Sequence, residues 1–315
     1  MDILGLSRDY TTFDFVCEMS NGSSSRSIGE VVAKYINISG ALIIRGLNFA
    51  SPTEFRSFVA EMSCLGAPTE YGAERASPRT QLGTGVYTAT DYDRRADIQL
   101  HNECASRSSW PLYLSFYCAQ PAEKGGETTV CSIRGVQDRC SPDFLGAFGA
   151  QDLLYTRNYG AGCSFSLDFA FGTDDQDRIN EYCHRNKIKP QWLWPGRLRT
   201  FFRSPAFHRH PISRERLFFN YWAFYNGVLE DERSRLIKNS SFRDNLPFRA
   251  TFADGSAVPS AIEWEYKQVL CDLTVKVGWQ RGDLLILDNM IVAHGRKSFV
   301  GDRVVWLVMS GLHAT

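Results

Sequence analysis

The sequence predicts a single α+β domain, mainly β with helices, on three observations. Short alternating or apolar runs recur over about residues 84–135 and again over about 272–312, broken by Gly, Pro and charged turns, as strands of an antiparallel sheet are. Helix signals with capping chemistry lie before the first block and within a mixed stretch of about 140–265. No internal repeat, low-complexity tract or linker divides the 315 residues, so one domain with an insert at about 140–265 is preferred to two domains.

The first helix is expected from Ser27, with Glu30 completing a capping box and Ile28, Val31, Val32, Tyr35 and Ile36 recurring at helical spacing until Gly40. Residues 41–47 then read as a strand. Ser51-Pro52-Thr53-Glu54 opens a second helix with a capping box and Pro at its first position, and Phe55, Phe58, Val59 and Met62 form its apolar stripe. Strands follow at 85–90, 98–103, 113–118 and 128–131. In the insert, Asp174 can cap a helix through Asn186, residues 192–197 read as loop, 217–224 as strand, and Pro259 opens a helix through Leu270. Strands return at 274–277, 284–287 and 304–309.

The composition, 43% hydrophobic and 22% charged, is that of a folded protein rather than a disordered one. Thirty-five basic side chains balance thirty-five acidic ones, so no overall field attracts nucleic acid or an anionic membrane, and neither partner is expected. The nine cysteines are odd in number, form no Cys-x-x-Cys pair and sit mostly in apolar stretches, which reads as reduced thiols in a cytoplasmic protein. Charges at Asp2, Arg8, Asp9 and Asp14 interrupt any signal-peptide core, and no segment resembles a membrane span.

His101-Asn102-Glu103 is the first candidate site, since residues two apart on a strand share a face and can place an imidazole and a carboxylate on one metal ion. Chance supplies about 0.7 such pairs in a chain of this composition, so a third ligand is required. The segment from Arg281 to Arg296 offers one: a turn, a buried strand, then His294 just past its end, with Arg303 nine positions on. Two His and one Glu form a facial triad that leaves three adjacent positions of an octahedral Fe(II) open. Arg303 could hold a carboxylate through a planar bidentate pair, as a 2-oxoglutarate site requires.

Over most of its length the chain resembles the Fe(II)/2-oxoglutarate-dependent dioxygenases of the taurine dioxygenase (TauD/TfdA) family. The residues that carry the resemblance are Arg45-Gly46-Leu47, His101-Asn102-Glu103, Gly125-Gly126-Glu127-Thr128, Leu287-Asp288-Asn289, His294-Gly295-Arg296 and Arg303. It implies a double-stranded β-helix, the jelly-roll or cupin-like core, with N-terminal helices and a long helical and loop insert lidding the site. It implies Fe(II) on His101, Glu103 and His294, with 2-oxoglutarate held by Thr128 and Arg303 and dioxygen as the other co-substrate. Succinate and carbon dioxide would be released while the substrate is hydroxylated; desaturation or ring closure shares the same start.

Ser77-Pro78-Arg79-Thr80, Tyr87-Thr88-Ala89-Thr90, Trp110-Pro111, Arg157-Asn158-Tyr159, Leu198-Arg199-Thr200 and Phe219-Asn220 are similar to strings of the SyrP-like branch. Members of that branch act on amino acids in natural-product pathways, free or presented on a carrier protein, so a small-molecule substrate of that kind is expected. Leu307 stands where the taurine enzyme's sulfonate-binding arginine would fall, which implies a substrate other than taurine. A rival reading is a non-catalytic regulatory relative, which has no need of an intact triad and Arg303; a halogenase would need a small residue in place of Glu103.

Other residues have plainer readings. His208 and His210 are spaced like a metal pair, but Pro211 follows and no neighbouring carboxylate completes a site, so they are assigned to a loop or the substrate side. Cys104 reads as an inert packed thiol, Gly125-Gly126 as a turn that positions Thr128, and Trp110, Trp192, Trp194 and Trp222 as core or pocket wall. Asn102, between two ligands, and Arg199 and Asn220, polar beside apolar runs, are the candidate substrate contacts.

Overall fold

The two β-rich blocks pair with each other rather than each within itself. The computed structural model describes residues 1–315 except 21, 71–73, 75–78, 161–164, 195, 229, 231–245 and 315. In its larger sheet Ser109–Gln120 lies between Leu284–Asp288 and Val304–Ala314, so that Phe116 faces Leu285 on one side and Leu307 on the other. Ala41–Ile44 extends this sheet beyond Leu284–Asp288, and an N-terminal hairpin of Asp2–Leu6 and Phe13–Glu18 follows it. The smaller sheet runs Val275–Val277, Thr128–Ser132, Val292–Arg296, Ile98–His101, all antiparallel. Together the two sheets make a jelly-roll core.

Every residue of Leu284–Asp288 is buried, which is why residues 284–287 are an unbroken apolar run, closed by the buried Asp288. Helices Ser25–Ser39 and Pro52–Glu61 pack beside the larger sheet and bury Ile28, Val32 and Ile36, and Phe55 and Val59. Arg45-Gly46-Leu47 docks on the turn Arg281-Gly282-Asp283: Arg45 Nη1 is 2.8 Å from Asp283 Oδ2, and the Leu47 amide donates to the Gly282 carbonyl. A Cβ on Gly282 would lie 2.3 Å from the Leu47 carbonyl, so this junction needs glycine.

The insert carries a sheet of its own, ordered Lys189–Trp194, Arg197–Ser204, Leu153–Tyr159, Phe248–Phe252. Of residues 192–197, expected as loop, 192–194 and Arg197 belong to two paired strands and Gly196 lies in the turn between them; Pro195 lies outside the described residues. The stretch 217–224, expected as strand, is instead a two-residue strand, Arg216–Leu217, followed by the helical turn Trp222–Tyr225. Phe218 and Phe219 are both buried, the first against Phe144 and Phe148 and the second against Trp110 and His208, so the segment lies between two packed clusters and not at a half-exposed sheet face.

The first helix begins a turn earlier than expected, because the Ser24 hydroxyl accepts from the Ser27 amide. Asp175 rather than Asp174 caps Gln176–Arg185, by accepting from the Arg178 amide. Eight cysteines are free and Cys163 lies outside the described residues. Among the described residues no helix is long and apolar enough to cross a membrane.

Candidate active site

The strand Ile98–His101 stops at its histidine, so Glu103 lies in the turn beyond it and strand alternation does not aim its side chain. Asn289 does that work. Its Oδ1 accepts from the Glu103 amide at 2.7 Å, and its Nδ2 donates to the carbonyls of Glu103 and Pro111, both at 2.9 Å. Asn102 Nδ2 in turn donates to the Asn289 carbonyl at 2.6 Å. These bonds hold the 102–103 turn against the turn that joins Leu284–Asp288 to Val292–Arg296.

His294 is the cross-strand partner of His101, and the two ring centroids are 4.4 Å apart. His101 Nδ1 is 2.8 Å from the Gln99 carbonyl, which can only accept, so Nδ1 carries a hydrogen and Nε2 is the ring nitrogen left for a metal. That Nε2 lies 3.9 Å from Glu103 Oε2. One ligand atom from each of His101, Glu103 and His294 lies within 4.8 Å of the others. Burial, with His101 beside it, pushes His294 well below the usual imidazole range, which leaves it neutral at pH 7.

Burial would raise the Glu103 carboxyl, but Arg79, at 2.7 Å, and the two histidines hold it well below the usual range. His294 Nδ1 is buried without a hydrogen-bond partner. Two imidazoles, one carboxylate and an orphaned buried nitrogen fit a divalent first-row metal of the two-His, one-carboxylate type.

The cavity beside this cluster is walled by Arg79, His101, Phe116, Thr128, His294 and Arg303. Thr128 Oγ1 accepts from Trp279 Nε1 at 3.1 Å, and its own hydroxyl hydrogen remains available to a ligand. Arg303 is oriented by its Nε, which donates to the Gly126 carbonyl at 3.0 Å. Burial, reinforced by Arg296, lowers Arg303 to about 10, so it is still a cation at pH 7.

Gly125 and Gly126 both have left-handed backbone, with φ of 74° and 75°. A Cβ on Gly125 would meet the Ser298 carbonyl at 2.3 Å, and one on Gly126 would meet Arg303 Cδ at 3.0 Å. The glycine pair thus lets the 298–300 segment and Arg303 approach the turn, besides leading into Thr128.

The structure brings together His101, Glu103, His294, Thr128 and Arg303. Asn102, Arg199 and Asn220 do not line this cavity. Asn102 is occupied at the Asn289 carbonyl; Arg199 Nε donates to Asn158 Oδ1 in the insert sheet; Asn220 bridges the Ala206 carbonyl and the Trp222 amide. Leu307 is fully buried in its strand.

Arg79 is the residue that the sequence reading missed, since nothing local links it to Glu103; Ser77-Pro78 of its string lies outside the described residues. Phe224 and Tyr221 of the insert also pack on His101, with centroids at 4.9 and 5.8 Å. His210 does have a carboxylate partner, contrary to expectation: its Nε2 is 3.0 Å from Asp288 Oδ2, a residue 78 positions away. His208 Nε2 bonds the Ser204 hydroxyl.

The family described as Taurine catabolism dioxygenase TauD, TfdA family matches residues 14–309. The dapdiamide synthesis protein DdaC of Enterobacter agglomerans is 31% identical over 283 residues, covering 90% of this chain and 84% of that protein. A clavaminate synthase-like protein of Arabidopsis thaliana is 30% identical over 273 residues, covering 83% and 78%. In fold, an asparagine oxygenase solved with Fe(II), 3-hydroxyasparagine and succinate is similar at a TM-score of 0.55, with 14% identity, over 90% of this chain and 78% of that one.

Proposed function

Because this chain belongs to the TauD/TfdA family of Fe(II)- and 2-oxoglutarate-dependent dioxygenases, we propose that it hydroxylates an amino acid or an amino-acid-derived intermediate in natural-product biosynthesis. The observation that carries this reading is one cavity walled by His101, His294, Thr128 and Arg303, with Glu103 clustered against its two histidines. In it, His101, Glu103 and His294 hold Fe(II). Thr128 donates its hydroxyl hydrogen to a 2-oxoglutarate carboxylate, and Arg303, pre-aimed by the Gly126 carbonyl, pairs with the distal carboxylate. Bound iron supplies the reduction of dioxygen coupled to oxidative decarboxylation of 2-oxoglutarate to succinate.

The chain's own residues set the conditions for that chemistry. His294 stays neutral, Glu103 stays ionised, His101 is turned by the Gln99 carbonyl, and Phe116 and Phe224 pack against the imidazoles. The natural-product part of this reading is supported by the relative named for dapdiamide synthesis, and the amino-acid class by the similarly folded asparagine oxygenase. The substrate is a small molecule, free or presented on a carrier protein.

The test is incubation with Fe(II), 2-oxoglutarate and air against panels of free amino acids, carrier-bound aminoacyl thioesters and short peptides. Succinate should rise with a matching gain of one oxygen in a member of one panel. Stimulation by sulfonates or aryloxy acids alone would refute the substrate class, and absence of Fe(II) binding would refute the enzyme reading.

A further inference from the structure

The insert reaches the candidate metal centre through a fully buried pair that the proposed chemistry does not use. His210 and Asp288 are both 0% exposed, with His210 Nε2 3.0 Å from Asp288 Oδ2. The amides of Ser213 and Ile212 donate to His210 Nδ1 at 3.0 and 3.3 Å, so Nδ1 is the acceptor and Nε2 carries the hydrogen that is given to Asp288. The other carboxylate oxygen, Asp288 Oδ1, accepts the amides of Met290 and Ile291 at 3.0 and 3.2 Å. Asp288 therefore closes the 288–291 turn with one oxygen and takes the insert's histidine with the other.

That turn has two outputs. Asn289 inside it clamps the Glu103 backbone, and the strand that leaves it carries His294. Two of the three candidate ligands thus depend on the geometry of one buried turn. A ligand displaced by a few tenths of an ångström loses affinity, and partners that orient ligands commonly matter by about 10- to 100-fold.

We infer that His210 is a positioning residue for the metal centre, acting through Asp288 and Asn289 on Glu103 and His294. The inference rests on reading His101, Glu103 and His294 as metal ligands. It makes the insert part of the metal site's scaffold.

The two ring nitrogens can be tested separately. Asn places an acceptor near the Nδ1 position and keeps the Ser213 and Ile212 bonds, but it loses the donor to Asp288. Gln places a donor near Nε2 and keeps Asp288 paired, but it loses the loop bonds. The measurement is Mn(II) affinity of the full chain, from the electron paramagnetic resonance signal of free Mn(II), beside the melting temperature without metal.

His210→Asn should weaken Mn(II) binding about tenfold, within the range for such partners, while His210→Gln stays near the wild type although both melt earlier. Asp288→Asn, which sets an amide donor against the histidine N–H, should weaken Mn(II) as His210→Asn does, and it decides the matter should His210→Asn not fold. The combined variant should lose little more than either alone. Equal Mn(II) affinity in the Asn and Gln variants, or full affinity in Asp288→Asn, would overturn the inference. A wild type that fails to bind Mn(II) would instead overturn the ligand assignment beneath it.

Discussion

Replacing Arg79 by Gln removes the guanidinium that lies 2.7 Å from Glu103 Oε2, where both side chains are almost wholly buried. The carboxylate loses its guanidinium partner, and stranding one member of a buried pair costs about 3–5 kcal/mol. At about 2 °C per kcal/mol, the low end for larger domains, the metal-free variant should melt about 6–10 °C below wild type. A divalent cation on the same carboxylate supplies the lost counter-charge, so saturating Mn(II) should close much of that gap.

The pH dependence has a definite sign. Arg79 and the histidines depress the Glu103 carboxyl against its burial, so their stabilisation is present above the unfolded carboxyl value of about 4.3 and is lost only as pH falls through the lower folded value. In the variant burial acts with less opposition, and the carboxyl takes up its proton at a higher pH. The deficit should therefore be widest near pH 7 and narrow on acidification. Scanning calorimetry in EDTA and in Mn(II), at pH 7 and pH 5, measures all of this. A deficit of equal size with and without Mn(II), or none in EDTA, would refute the reasoning.

Further perturbations separate the parts of the site. Arg303→Gln should raise the 2-oxoglutarate requirement about 10- to 150-fold, from a charge-assisted pair of about 1.5–3 kcal/mol, and leave Mn(II) affinity unchanged; Thr128→Ala should act the same way more weakly, by titration in both. Because Arg303 sits at about 10, 2-oxoglutarate affinity of the free protein should hold below that pH and decline as pH rises through it, which isothermal titration can follow. Gly125→Ala should lower both the melting temperature and 2-oxoglutarate affinity, since its Cβ meets the Ser298 carbonyl and its φ is left-handed. Alkylation of the native protein at pH 8, mapped by mass spectrometry, should label the exposed Cys271 and spare Cys104 and Cys131, whose thiols burial pushes up to about 12. His101→Ala and His294→Ala should each abolish the visible band formed by Fe(II) with 2-oxoglutarate.

The candidate ligands, the glycine turn and Arg303 were legible in the amino-acid sequence because each lies in a short local pattern. His101 and Glu103 are two apart, Gly125-Gly126 lie just before Thr128, and His294 comes shortly after the apolar run 284–287, although it lies within the next strand, Val292–Arg296, and not just past the end of the first. Strand and helix periodicity are local too, and the core strands and the helix at Pro52 follow from them. What the sequence left open is settled by packing between distant segments. Residues 192–194 and 197 become strand only because Leu153–Tyr159 lines up beside Arg197–Ser204, and Phe218 packs on Phe144 and Phe148 while Phe219 packs on Trp110 and His208. Glu103 is aimed by Asn289, 186 residues away, and charged against Arg79, while His210 finds Asp288 across 78 residues. A buried polar group must find its partner wherever the fold places one, and the chain's local order carries no record of that distance.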